Sequence, residues 1–458
     1  MLYKRSLVVF CAVAFFISQA NAQEYSLHDL FTLALERSET IKIAEEDLYI
    51  SKRQKDRALA DLIPTFSLFG QHTRYSEEKS GSTFLLQPKH TNEWGARLGK
   101  SYSLGGREFR AFDISKQGIE QSTLDLHATR EDYMLDVAVQ YYDVLRGSRE
   151  IEIAAANVQR LTTERDAAKK RLAAGTAIKT DLLRAEAELA DAQSEHIRTE
   201  NVFKIAKNIL ADTVGINGNY TAKEPQLGVD IILPHQGEVN LDFLIKGCQR
   251  SPVHCLVDIA LSERAEIKSL SLQSDIDEQG VKIAKSTYWP DLSIEGVYVR
   301  EENDPSSTFE LDERIYGILR LDFPIFEGGL KKAQVSEAES RHRQAEYNLA
   351  DIKRKISVEV ENSYIIVTTA ASILKPREAE VEFARENYTL VSKRFQHGLA
   401  DSVDVIDANT RLITSERELL NAQYVYVLEL LRLERVTGTL LKSFVSSQSP
   451  DDSEKAKK

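Results

Sequence analysis

RFQHGLADSVDVIDANTRL, residues 394–412, and RLAAGTAIKTDLLRAEAEL, residues 171–189, stand 223 positions apart and share one plan. In each, an arginine (Arg171, Arg394) comes four positions before a glycine (Gly175, Gly398), and a helical pattern starts a few residues beyond it. The plan reads as a helix end, a turn at glycine, and a return helix. Only the second copy carries Asp404 and Asp407, three apart and so on one helix face. The first carries Asp181 where the second has Asp404, and Arg184 where the second has Asp407.

The duplication extends through most of the chain. LALER (33–37) answers to IALSE (259–263) and IPTFSLFG (63–70) to WPDLSIEG (289–296), both at an offset of 226. Gly105/Gly106 answer to Gly328/Gly329, Tyr141 to Tyr364 and Gly215 to Gly438 at 223. The chain is therefore read as a first repeat at 23–215 and a second at 259–440. Between them, 216–258 is richer in Pro and Gly and is read as a small equatorial insertion packed outside; 441–458 is read as a disordered polar tail.

Each repeat reads helix, two strands, long helix, turn, helix. In the first, strands are expected at 64–76 and 92–104, the long helix at 106–174 and the return helix at 178–214. In the second they are expected at 290–302, 313–326, 329–397 and 402–438. A helix of about 70 residues is about 105 Å long, and a rod of that length needs neighbours along it, so it belongs in a bundle or coiled coil. The return helix shows the seam: Leu182, Ala185, Leu189, Ala192, His196, Thr199, Phe203, Ala206 and Leu210 alternate by three and four. The shifted set runs from Val405, Ala408 and Leu412 to Tyr426, Glu429 and Leu433. Pro376 is expected to kink the second long helix.

The strand runs alternate. Trp94, Ala96, Leu98, Tyr102 and Leu104 share one face, interrupted by Lys100, with Arg97, Ser101 and Ser103 on the other; Leu319, Leu321 and Phe323 lie opposite Arg320 and Asp322. Such runs match the roughly 9–11 residues of a tilted membrane strand. Tyr102, Tyr288, Trp289 and Phe323 at the strand ends suit an aromatic girdle. Four strands cannot close a barrel, and an open sheet edge in lipid leaves backbone groups unsatisfied. Several copies must pool their strands, with 76–92 and 303–312 as extracellular loops.

The ends and composition narrow the function. Residues 1–22 read as an export signal: Lys4 and Arg5, an apolar run from Leu7 to Ile17, and Ala20-Asn21-Ala22 as the cleavage site. Cys11 lies inside that segment, so no lipoprotein anchor is expected. The formal charge of −12 becomes −14 once Lys4 and Arg5 leave, which argues against nucleic acid as a partner. Cys248 and Cys255 fit either a disulfide across a small loop or two unlinked thiols. The nine histidines show no metal-ligand spacing, with His196 read as a polar interruption of the seam. No nucleophile elbow is present. The glycine pairs after the strands lack the Lys-Ser/Thr ending of a phosphate loop. No enzyme, cofactor or metal is expected.

With these features in view, the chain resembles the TolC family of outer-membrane efflux and secretion ducts. The resemblance rests on Pro64 and Pro290 where helix becomes strand, on Gly105/Gly106 and Gly328/Gly329 where strand becomes helix, and on the two tip motifs. It implies a mainly α protein with a membrane β portion: a homotrimer whose four strands per chain make a shared 12-stranded β-barrel, continued by a periplasmic α-helical barrel. It also implies a periplasmic adaptor (membrane fusion) protein and an inner-membrane transporter of RND or ABC type as partners. Asp404 and Asp407, with Asp181, would line an acidic entrance where crowded carboxylates attract cations and some resist ionising. Arg184 would offer a closing salt bridge to a neighbouring Asp. Gly175, Gly398, Arg171 and Arg394 would form the tip turns and meet the adaptor. Some relatives place an aromatic and a basic residue beside the turn; here those positions are Phe395 and Ala400. The bland reading of Asp401, Asp404 and Asp407 is helix capping. The alternative function is a periplasmic coiled-coil adaptor or scaffold, though adaptors carry one hairpin and no paired membrane-length strands.

Overall fold

The computed structural model describes residues 23–81, 85–216, 220–224, 250–306 and 312–447. Residues 1–22, read as an export signal, Cys248, most of the insertion and 448–458 lie outside the described residues. In chain order the first repeat contains β1 (Gln23–Tyr25), α1 (Leu27–Arg37), α2 (Glu39–Ala60), β2 (Thr65–Arg74), β3 (Lys79–Ser80), β4 (Leu85–Gln87), β5 (His90–Ser103), α3 (Arg107–Ala173) and α4 (Lys179–Val214). After β6 (Tyr220–Ala222) the second contains α5 (Pro252–Glu263), α6 (Ala265–Ser286), β7 (Asp291–Asp304), β8 (Glu313–Asp322), α7 (Leu330–Gln396), α8 (Ser402–Thr437) and α9 (Leu440–Ser447). The copies agree in length: α3 and α7 have 67 residues each, α4 and α8 have 36, and α2 and α6 have 22.

One antiparallel sheet runs in the order β2-β5-β7-β8. Below it the helices keep that order, because each strand is collinear with one helix. Helix α2 leads into β2 and packs on α3, α3 continues from β5 and packs on α6, and α6 leads into β7 and packs on α7, which continues from β8. Farther down, α4 returns along α3 and α8 along α7, with α3 touching α8. At about 1.5 Å per residue the long helices reach about 100 Å. The return-helix seam is where the spacing placed it: Ala185, Leu189, Ala192, Thr199 and Leu210 are buried, as are Val405, Ala408, Leu412, Tyr426, Glu429 and Leu433. The widest core lies at mid-height, where α1, α5 and α9 pad the long helices around Leu30, Met134, Tyr141, Ile356 and Leu433.

Three expectations change. The second repeat starts at Pro252 rather than 259, since proline fits a first helical turn, where no N–H is needed. The tail read as disordered from 441 begins as α9, with Leu440 and Phe444 buried and the Phe444 ring 5.5 Å from that of Phe31. Strand β8 stops at Asp322, short of 326, because Pro324 has no N–H for a ladder. Helix α7 stays helical across Pro376, where a kink is expected.

An ion cluster ties both repeats together at mid-height. Arg435 on α8, 5 % exposed, donates to Asp132 of α3 and Glu266 of α6, each at 2.6 Å, and lies 3.6 Å from Glu131 of α3. Arg264, at the α5–α6 junction, donates to Glu266 at 2.9 Å and to Glu359 of α7. Glu131, fully buried, accepts the Leu441 N–H of α9 at 3.3 Å. Burial acts to raise Glu266, but Arg264 and Arg435 overcome it and hold the carboxyl at about 2. Burial pushes Glu131 up, against the Leu441 N–H and Arg435.

Arg435→Ala is expected to destabilise the protein by about 3–5 kcal/mol, the usual cost of stripping a buried ion pair of one partner, read by denaturant unfolding in detergent. Because the folded-state pKa of Glu266 is depressed, its contribution is present above its ordinary 4.5 and lost as pH falls toward about 2. Unfolding free energy should therefore drop across that window in the native chain and be flatter there in Glu266→Gln.

Candidate functional site

At the tips, Gly175 and Gly398 have φ of 72° and 74°, the left-handed region that a side chain would strain. The residue after each glycine closes the turn back onto an arginine carbonyl: Thr176 N–H to Arg171 O at 2.9 Å and Leu399 N–H to Arg394 O at 2.8 Å. The two arginines then diverge. Arg394 is exposed, whereas the Arg171 guanidinium lies 3.5 Å from the Phe395 ring centroid and donates to the Phe395 carbonyl at 2.8 Å. One tip thus grips the other by a cation on an aromatic face.

The acids separate into two groups. Asp401 caps α8, its carboxylate accepting the Val403 and Asp404 N–H groups at 2.8 and 3.0 Å, and Asp404 reaches back to the Asp401 N–H at 3.3 Å. Asp404 therefore caps and is exposed at once; Asp407, equally exposed, takes no part in the cap. Asp181 faces the other hairpin, accepting from the buried Ser402 hydroxyl at 3.1 Å. Arg184 donates to that same hydroxyl at 3.3 Å. Within the chain, the Ser402 hydroxyl bridges the two, accepting from Arg184 and donating to Asp181. Cys255 is buried and disulfide-bonded.

Sequence reading one repeat at a time missed a polar seam between the hairpins. Arg160 of α3 donates to Asn409 of α8 at 3.1 Å and lies 3.5 Å from Glu416. Asn409 donates to Asn157 at 2.9 Å, Arg417 of α8 to Glu195 of α4 at 3.0 Å, and Tyr388 of α7 to Glu164 of α3 at 2.7 Å. The available signal was polar side chains at buried helical spacing, such as Asn409 beside Ala408.

Register sorts the strands into two faces. Phe66 pairs with Leu98, Leu68 with Ala96, Tyr102 with Leu292, and Ile294 with Leu319, all on one face. Leu68 is 75 % exposed, Leu319 73 % and Ile315 83 %. The opposite face holds Arg97 paired with Glu295, Arg314 with Glu301, and the Ser293 hydroxyl donating to Ser101 at 3.0 Å. Among the described residues the outer edges of β2 and β8 pair with no strand. No described helix is long and apolar enough to cross a membrane. The protein exposes 29633 Å², against roughly 17,000 Å² for a globular chain of 51.7 kDa.

An open, two-faced, membrane-length sheet standing on a row of long helices fits the architecture of an outer-membrane channel. The sequence profile of the outer membrane efflux protein family matches residues 30–215 and 256–439, and the chain belongs to that family. It is 22% identical over 334 residues to the outer membrane protein TolC of Vibrio cholerae serotype O1, covering 72% of this chain and 73% of that one. It is 20% identical over 443 residues to the alkaline protease secretion protein AprF of Pseudomonas aeruginosa, covering 94% and 89%. The crystal structure of the Campylobacter jejuni CmeC outer membrane channel superposes with a TM-score of 0.77 at 16% identity, covering 94% of this chain and 88% of that one. The protein is thus an outer-membrane channel of the efflux and secretion type, and a periplasmic adaptor is not favoured.

Removing cap groups should loosen the first turn of α8 in proportion to the bonds lost. Asp401→Ala is expected to cost about 1 kcal/mol locally, Asp404→Ala less and Asp407→Ala nothing measurable, as read by amide exchange at Val403 and Asp404.

Proposed function

We propose that three copies pool their sheets into one 12-stranded barrel, and that the long hairpins extend it as an α-helical duct across the periplasm. The observation that carries this is the sheet itself, with an apolar face fit for lipid, a charged face fit for water, and two open edges, β2 and β8, able to pair with the neighbouring copies. The apolar face continues past β8 in Phe323, Ile325 and Phe326, 54 %, 87 % and 85 % exposed, at the level of a headgroup girdle. The duct is a passive exit for solutes or protein, fed by an inner-membrane transporter of RND or ABC type through a periplasmic adaptor that meets the tips around Gly175, Gly398 and the exposed Arg394. The precursor reaches the envelope through cleavage after Ala22.

At the mouth, Asp404 and Asp407 of three chains present six carboxylates on exposed helix faces, so the entrance selects cations. Arg171 on Phe395 and the Ser402 bridge between Arg184 and Asp181 hold the two hairpins of each chain together there.

In planar bilayers the purified protein should form cation-selective channels blocked by divalent ions from the side of the tips. Changing both Asp404 and Asp407 to Ala should abolish the block and reduce selectivity severalfold; unchanged block would remove the acidic mouth. A detergent-solubilised mass of one chain, rather than three, would remove the shared barrel.

A further inference from the structure

Between α3 and α7, with Glu164 and Tyr388 about three helical turns above the tip glycines, lies a cleft of about 350 Å³ walled by Arg160, Thr163, Glu164, Tyr388, Ser392 and Phe395. Its floor is a buried acid. Glu164 is 8 % exposed and accepts the Tyr388 hydroxyl at 2.7 Å. Among the described residues no lysine or arginine lies within ion-pair distance of it; Arg160, the nearest cation, is engaged with Asn409 and Glu416. Asp404 and Asp407 are absent from the cleft's walls, which meet the contacts at the mouth only at Phe395, the ring that Arg171 covers.

A buried carboxylate without a cation costs free energy, and it is stabilised by any cation that reaches it. Burial accordingly pushes Glu164 up from its ordinary range, with Tyr388 and Arg160 only partly opposing. The aromatic walls add to this. Tyr388 and Phe395 bring apolar ring surface for an alkyl chain, their faces already approached by Arg160 and Arg171 at 6.0 and 3.5 Å, while Thr163 and Ser392 supply hydroxyls that accept N–H donors. The cleft is at the small end of ligand-sized cavities.

We propose that this cleft binds a small organic cation, an alkyl amine or diamine, with its ammonium group on Glu164 and its chain against Tyr388 and Phe395. The ligand touches α3 of the first hairpin and α7 of the second. Binding therefore favours the arrangement in which the two hairpins lie together, by an amount set by its concentration over its dissociation constant.

The test uses the full mature protein in detergent and putrescine as probe. Titration calorimetry is expected to give one saturable site per chain. Glu164→Gln should weaken it at least about tenfold, as expected when a charged partner becomes neutral. Ser392→Phe, which fills the cleft and leaves Glu164 in place, should weaken it as well, while succinate should not bind. Both variants are checked for folding by circular dichroism; Glu164→Gln removes a buried charge and should melt no lower than the native chain. Putrescine binding unchanged in Glu164→Gln, or lost in the Asp404→Ala/Asp407→Ala double variant but kept in Glu164→Gln, overturns the proposal. Calorimetry does not depend on the protein acting as a duct, so failure here is distinct from failure of the conduit reading.

Discussion

Unpaired backbone at the two ends of a four-stranded sheet is the constraint on which this structure depends. In water, the outer N–H and C=O groups of β2 and β8 would be solvated at little cost; in lipid each unsatisfied group costs several kcal/mol. The apolar face of the sheet commits it to lipid, so the edges must find strands, and the nearest source is another copy of the same sheet. The collinearity of strand and helix carries that demand downward. Because α2, α3, α6 and α7 stand under β2, β5, β7 and β8, any arrangement that closes the strands into a ring also closes the rods.

The two repeats are not mechanically equal. In the first, the junction between the two short helices is a serine cap, Ser38, with Arg37 donating to the Gly215 carbonyl at 3.1 Å. In the second, Arg264 stands at the equivalent place and joins Arg435 in a buried ion cluster that reaches α3, α6, α7 and, through Glu131, α9. The second repeat is thus anchored by buried charges at mid-height, while lower down the hairpins meet through the partly exposed pairs Arg160–Glu416 and Arg417–Glu195, a few hydrogen bonds and one stacked arginine. Buried charge is concentrated at the equator and absent from the tip turns, so the tips are the end expected to loosen first.

Much of this was legible in the residues. The three-four alternation from Leu182 to Leu210 placed the hairpin seam, strand alternation placed the apolar face of the sheet, and the recurrence of Gly175 as Gly398 placed the turns. The failures share a cause: sequence periodicity describes one element at a time. The bonds of Arg184 and Asp181 to Ser402 of the other repeat carried no local signal, since that contact exists only after two hairpins dock. Glu164 and Tyr388 carried no local signal for the same reason. Pro252 read as loop punctuation when it opens a helix. Leu440 and Phe444 were hidden because eight residues are too few to show a period beside a polar run.

The equality of α3 with α7, and of α4 with α8, has a consequence for how such a molecule can change over time. A heptad added to α3 alone would carry its turn about 10 Å beyond that of α7, stranding Arg171 away from Phe395. Lengthening is tolerable only when both halves of the gene gain the same increment, and the return helices with them. Reach is therefore inherited as a shared dimension, fixed less by the distance to be spanned than by the requirement that two tips finish level.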